Sequence, residues 1–135
     1  GASPAMYHDC GFFSVFAATS PGQAGDVIDI TVAELREVVR NGVTENELEL
    51  AKRQAVASIL LSLEDSAARS ATLAQSEMLH GRQIQVEETL ARIEAVTIEE
   101  VIDLAREFFR TESVAFAALG NLKGLKIERS RLAIS

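Results

Sequence analysis

Between about Gln23 and Phe109 the apolar residues recur at three- and four-residue steps, and that spacing commits most of the chain to amphipathic helices. The first expected helix, Gln23 to Asn41, sets Val27, Ile28, Leu35, Val38 and Val39 against Asp26, Asp29, Glu34, Arg36 and Arg40; Gly42 stops it. Thr44-Glu45-Asn46-Glu47 has the form of a capping box, a threonine at the cap with a glutamate three residues on. The helix it opens carries a stripe of Leu48, Ala51, Ala55, Val56, Ile59, Leu60 and Leu63. Glu64-Asp65-Ser66 interrupts the pattern, and a third helix runs from Ser66 to His80, with a small-residue face and Gly81 behind it. A fourth covers Val86 to Ala95. Thr97-Ile98-Glu99-Glu100 repeats the capping box before a fifth, which should bury Ile98, Val101, Ile102, Ala105, Phe108 and Phe109.

Two short runs break the helical period. Residues 11–19, GFFSVFAAT, alternate Phe13, Val15 and Ala17 with Phe12, Ser14 and Phe16, which predicts a strand over 12–18. Residues 113–119, SVAFAAL, predict a second one. Both have apolar residues on both faces, as strands inside a sheet do. The expected class is therefore α+β, with several helices on a sheet that looks incomplete. At 135 residues there is material for one core, assigned to 7–122. Residues 1–6 are expected to be a tag remnant or irregular leader, and 123–135 a tail.

Composition excludes several functions. Cys10 is the sole cysteine, so no disulfide scaffold exists, and no run of 18 apolar residues offers a membrane span. A net charge of −7, without a cluster of basic residues, disfavours a nucleic-acid partner. The first ten residues lack the pattern of a secretory signal, and the expectation is a cytoplasmic protein without a membrane partner.

Catalytic constellations are equally sparse. A zinc site needs two or three converging ligands, but the chain has only His8 and His80, in no H-x-x-E-H or H-E-x-x-H arrangement. His8-Asp9-Cys10 stands at a strand entrance, where alternation sends neighbours to opposite faces. Glu77 and His80 form one Glu-x-x-His step, whereas a helix-bundle di-iron site needs two. Glu64-Asp65 is expected to mark a bend rather than an acid–base pair. The glycines of Gly120-Asn121-Leu122-Lys123-Gly124 lack the spacing of a phosphate loop. The chain is expected to contain no catalytic and no metal residue of its own.

The ordered segments resemble the pitrilysin/insulinase-type zinc peptidases, in their shorter processing-peptidase-like branch. Tyr7-His8-Asp9-Cys10-Gly11-Phe12-Phe13-Ser14-Val15-Phe16-Ala17 is similar to the family's y-x-D-x-G-x-F-x-(I/V)-(Y/F)-A strand. The run from Glu34-Leu35 through Gly42-Val43-Thr44 to Glu47-Leu48 and Ala51-Lys52 resembles E-L-x-x-(L/V)-x-x-x-G-(V/I)-(T/S)-x-x-E-L-x-x-A-K. Leu61-Ser62-Leu63-Glu64-Asp65-Ser66 resembles its helix break, Ile93 to Val101 its I-x-x-V-T-x-(E/D)-D-V, and Ala117-Ala118-Leu119-Gly120 its closing strand.

The resemblance implies a LuxS/processing-peptidase-like half domain with a truncated, antiparallel-rich sheet packed on several helices. It implies a non-catalytic C-terminal half that forms a peptide-binding chamber with a zinc-bearing half or partner subunit. Zinc would then belong to that other half, with no cofactor here. Arginine and tyrosine substrate contacts precede the Gly-Phe-Phe strand in the family, so no substrate residue is carried onto this chain. The alternative is a non-peptidase pairing subunit of the same fold. Strands with unpaired edges also lead to the expectation of a homodimer.

Overall fold

The computed structural model describes residues 1–134, which fall into two compact units. The first holds residues 1–5, 12–42 and 99 onward, and the second 6–11 and 43–98.

β1 (Ala2–Met6) and β2 (Gly11–Val15) form a two-stranded sheet, all of it in the first unit but for Met6 and Gly11. Gly1 and Phe16 exchange backbone hydrogen bonds at 2.9 Å in both directions, and the Tyr7 N–H donates to the Cys10 carbonyl in the same antiparallel register. Ser3 therefore lies opposite Ser14, and their hydroxyls meet at 3.3 Å. The leader expected over 1–6 is thus a strand, because β2 supplies the hydrogen-bonding neighbour that its composition could not reveal. The sheet strand predicted over 12–18 ends at Val15.

A short 3-10 turn, Pro21–Gln23, leads into α1 (Ala24–Asn41), where Ile28 and Val32 are buried. Gly42 closes α1 with its N–H on the Val38 carbonyl. Its φ of 75° and ψ of −153° are positive-φ backbone but not the left-handed helical cap.

Residues 113–119 do not form the second strand. Thr111–Ser113 is a 3-10 turn, and the sheet contains β1 and β2 alone among the described residues. The reason is a competing set of partners. Arg129 donates to the Thr111 and Val114 carbonyls at 2.5 Å each, and Val114 packs with Leu125 and Ile127 on a core of Ile28, Val32 and Leu132. The tail forms no strand either. A 3-10 turn at Arg129–Leu132 lays Leu132 into the core, and Ile134 is buried as well. Arg131 forks onto Asp29 at 2.7 and 2.9 Å, and Arg36 Nε donates to the Ala133 carbonyl at 2.7 Å. α5 (Ile98–Phe108) has Ala105 as its one buried residue, where Phe108 was expected inside and is 47% exposed.

The second unit holds α2 (Glu45–Ser62), α3 (Ser66–His80) and α4 (Val86–Ala95). Thr44 completes a capping box: its Oγ1 accepts the Glu47 N–H at 3.3 Å, and Glu47 accepts the Thr44 N–H at 2.7 Å. Asp65, expected as a bend residue, is the cap of α3, accepting from the Ala67 and Ala68 N–H groups. Gly81 ends α3 in the left-handed conformation, φ 63° and ψ 15°. α2 packs against α4, and Lys52 Nζ donates to the Glu94 carbonyl at 2.7 Å.

Thr44→Ala should cost about 1 kcal/mol, since it strands a backbone donor of the first turn. Thr97, directly before α5, should lose a similar amount. Thr19 lies beyond the end of β2, and its replacement should stay within about 0.5 kcal/mol. Urea melts of the three alanine variants check this, and equal losses at all three would contradict the helix starts.

The described residues bury few side chains: Ile28, Val32, Ala105, Leu132 and Ile134, all in the first unit. The chain exposes 10213 Å². A compact protein of this mass exposes about 6,900 Å², and even two separate compact units of half the mass would total about 8,300 Å². Several large apolar side chains are exposed, including Phe12, Phe16, Ile30, Leu61 and Met78.

Candidate functional site

The titratable residues singled out by the sequence do not converge. His8 and Asp9 sit in the exposed turn between β1 and β2, and Cys10 is a free, exposed thiol. Glu77 accepts from the Gln83 side-chain amide at 3.0 Å, while His80 is the exposed last residue of α3. Its position places an imidazole at the negative end of the helix dipole. Asp65 spends its carboxylate on the α3 cap. Gly120 and Gly124 take positive φ in a turn where the Lys123 N–H donates to Asn121 Oδ1. Among the described residues no group of three or more His, Cys, Asp or Glu could hold a metal ion.

The strongest electrostatic cluster lies in the second unit. Arg82 grips both oxygens of Glu88 at 2.9 and 2.7 Å, and Arg92 adds a contact at 2.6 Å. The Arg82 hydrogen bonds hold the Glu88 carboxyl below its ordinary pKa. All three side chains are substantially exposed, so the cluster joins the α3–α4 connection to α4 and contributes little stability.

What the first unit offers instead is a recess. A cavity of about 390 Å³ lies between the sheet and α1, walled by Phe13 and Val15 of β2, by Ile30, Leu35 and Val38 of α1, and by Phe109. Thr31 and Glu34 supply its polar atoms. The Phe13 and Phe109 rings meet with centroids 5.4 Å apart, tilted by 58°. Such a lining can bind apolar side chains.

The sequence reading missed Val32 and Ile30 on α1. Val32 completes an Ile28, Val32, Leu35, Val39 series at helical spacing, a signal that was present. Ile30 carries no such signal, because it lies off that stripe and is 62% exposed beside the recess.

Comparison with known proteins gives these features their context. The sequence profile described as the peptidase M16 inactive domain matches residues 1–55. The matched stretch takes in β1 and β2. A Mycobacterium tuberculosis protein named an uncharacterized zinc protease is 41% identical over 101 residues, 75% of this chain and 23% of that protein. A Streptomyces coelicolor protein with the same description is 34% identical over 129 residues, 96% of this chain and 28% of that one. The mitochondrial-processing peptidase subunit beta of Neurospora crassa is 32% identical over 121 residues, 88% and 25% of the two. The chain spans about a quarter of the length of these curated relatives. The chain belongs to the pitrilysin/insulinase-type zinc peptidase family, within the C-terminal half described as inactive.

Proposed function

We propose that this chain is a non-catalytic part of a zinc-dependent peptidase and helps to form a peptide-binding chamber with a zinc-bearing half or partner subunit. The observation that carries this is the match to an inactive peptidase domain by a chain whose surface is so incompletely covered. Exposed apolar side chains of this kind suit an interface with further protein. The recess beside Phe13, Val15 and Ile30 is suited to the side chains of a peptide or of that partner. Zinc in this scheme belongs to the other half, and the peptide is the substrate of the pair. No helix among the described residues is long and apolar enough to cross a membrane, and the exposed free Cys10 suits a reducing, cytoplasmic compartment.

The chain alone should therefore retain no stoichiometric zinc after dialysis and should not cleave a fluorogenic peptide. Mixed with the zinc-bearing half encoded in its parent gene, it should form a complex that cleaves peptide and is inactivated by chelator. One tightly held zinc per chain with chelator-sensitive hydrolysis by the chain alone would overturn the proposal. A parent gene without an H-x-x-E-H motif, or a complex without activity, would favour the non-peptidase pairing subunit.

A further inference from the structure

We infer that Asn41-Gly42 is a site of spontaneous covalent modification: a deamidation through a cyclic imide, held in check by the last turn of α1, whose product loosens that turn. The inference concerns the backbone chemistry of this chain and does not rest on the peptidase reading.

The step needs only the chain and water. The Gly42 backbone nitrogen gives up its proton and bonds to Asn41 Cγ; the Cγ–Nδ2 bond breaks, and ammonia leaves with that proton. A five-membered imide then joins the two residues, and water adds to one of its carbonyls. Addition at Cγ breaks the new Cγ–N bond and yields aspartate. Addition at the Asn41 backbone carbonyl breaks the original peptide bond and yields isoaspartate, with the chain now running through Cγ. No oxidant or reductant takes part: one amide and one water become one carboxylate and one ammonium ion.

Local chemistry selects the position. The chain has three asparagines, Asn41, Asn46 and Asn121. Only Asn41 precedes a glycine, whose missing side chain leaves the attacking nitrogen unhindered. Glu47 follows Asn46, and its N–H is bonded to Thr44 Oγ1 at 3.3 Å in the first turn of α2. Leu122 follows Asn121, whose Oδ1 accepts the Lys123 N–H at 3.3 Å.

The fold gates the reaction by engaging both reacting groups. The Gly42 N–H donates to the Val38 carbonyl at 2.9 Å, and Asn41 Nδ2 donates to Glu37 Oε1 at 2.7 Å. Attack requires the last turn of α1 to open. That turn opens readily, because Glu37 and Asn41 are exposed and helix ends lie at the low end of local stability. The product cannot restore it. A carboxylate at position 41 has no N–H for Glu37, and two carboxylates four residues apart repel at the negative end of the helix. Isoaspartate also lengthens the backbone by one carbon where Gly42 lies close against α5. Even a Cβ on Gly42 would stand 2.5 Å from Ile102 Cδ1. The modification is one-way, and it works the end of α1 away from Ile102.

Peptide mapping by mass spectrometry after incubation at mildly alkaline pH tests this, in the folded chain and in the same chain unfolded by urea. Asn41 should convert in both, about tenfold or more slowly when folded, as expected where a local opening precedes the reaction. In the folded chain Asn46 and Asn121 should lag behind it. Asn41→Gln, whose longer side chain closes an imide poorly, should stop the conversion. The converted chain, separated by anion exchange, should melt at a lower temperature than the unconverted one. No conversion at Asn41 in the folded chain, equal rates in the folded and unfolded chain, or faster conversion at Asn46 or Asn121 would each overturn the proposal. So would identical melting of the converted and unconverted chains.

Discussion

Replacing Leu132 by alanine should lower the stability of the first unit by about 3 kcal/mol, in the range for large-to-small changes at buried leucines. Few residues in this chain are buried, and Leu132 is one of three that form its central cluster with Ile28 and Val32. Leu125, Ile127 and Val114 pack around it, so the cavity would sit where the tail meets α1. Leu122→Ala is the control, since Leu122 is 44% exposed and should cost much less. Urea unfolding of both variants, followed by circular dichroism, checks the difference; comparable losses would mean the tail does not seal the core. The Arg131–Asp29 fork gives the same contact a pH dependence. The Arg131 hydrogen bond lowers the pKa of Asp29 below its ordinary value. Its contribution is therefore fully present above the unfolded carboxylate pKa and is lost as pH falls through the lowered folded value. Asp29→Asn should flatten the acid side of the stability profile, by a small amount because the carboxylate is exposed.

Gly42→Ala should cost about 2–4 kcal/mol, a large effect for a single methyl group. Two causes act together. At φ 75° and ψ −153° the backbone lies in a region that only glycine adopts without strain. A Cβ there would also stand 2.5 Å from Ile102 Cδ1 and 2.7 Å from its Cγ1, so the α5 side chain must move as well. Gly81→Ala offers the comparison. Its φ is also positive, but nothing lies within 4 Å of an added Cβ, so backbone strain alone remains, about 1 kcal/mol. Thermal melts of the two variants should separate conformational strain from steric overlap. Equal losses would remove the role given to Ile102.

The glycine in the family-like run Gly42-Val43-Thr44 shows how far sequence can be read. That a helix stops there and another begins at a Thr-x-x-Glu box follows from local chemistry, and α1 and α2 have those ends. That Ile102 approaches Gly42 could not be read, because the two are far apart in sequence. Asp65 is an intermediate case. The Asp-Ser-Ala-Ala order at the start of α3 permits an N-cap, yet the adjoining Glu64 drew the reading toward a charged bend.

The strands show the same division more sharply. A strand is stabilised by groups on another segment, so its existence depends on a neighbour that composition does not name. Alternating Phe and Val predicted β2 correctly, but Ala2–Met6, with little β-propensity, is a strand because β2 pairs with it. Residues 113–119, with the better propensity, are not, because Arg129 and the apolar tail take up Thr111 and Val114. The candidate site divides likewise. The recess of Phe13, Val15, Ile30 and Phe109 is assembled from three separated stretches, so no local pattern announces it. By itself the sequence determined the five helices, the Thr44 capping box and the family, since these rest on interactions within four residues or on motif order. Only the tertiary structure decided which strand pairs, where the tail lies and which apolar residues stay uncovered, because each depends on contacts between segments that compete for the same partners.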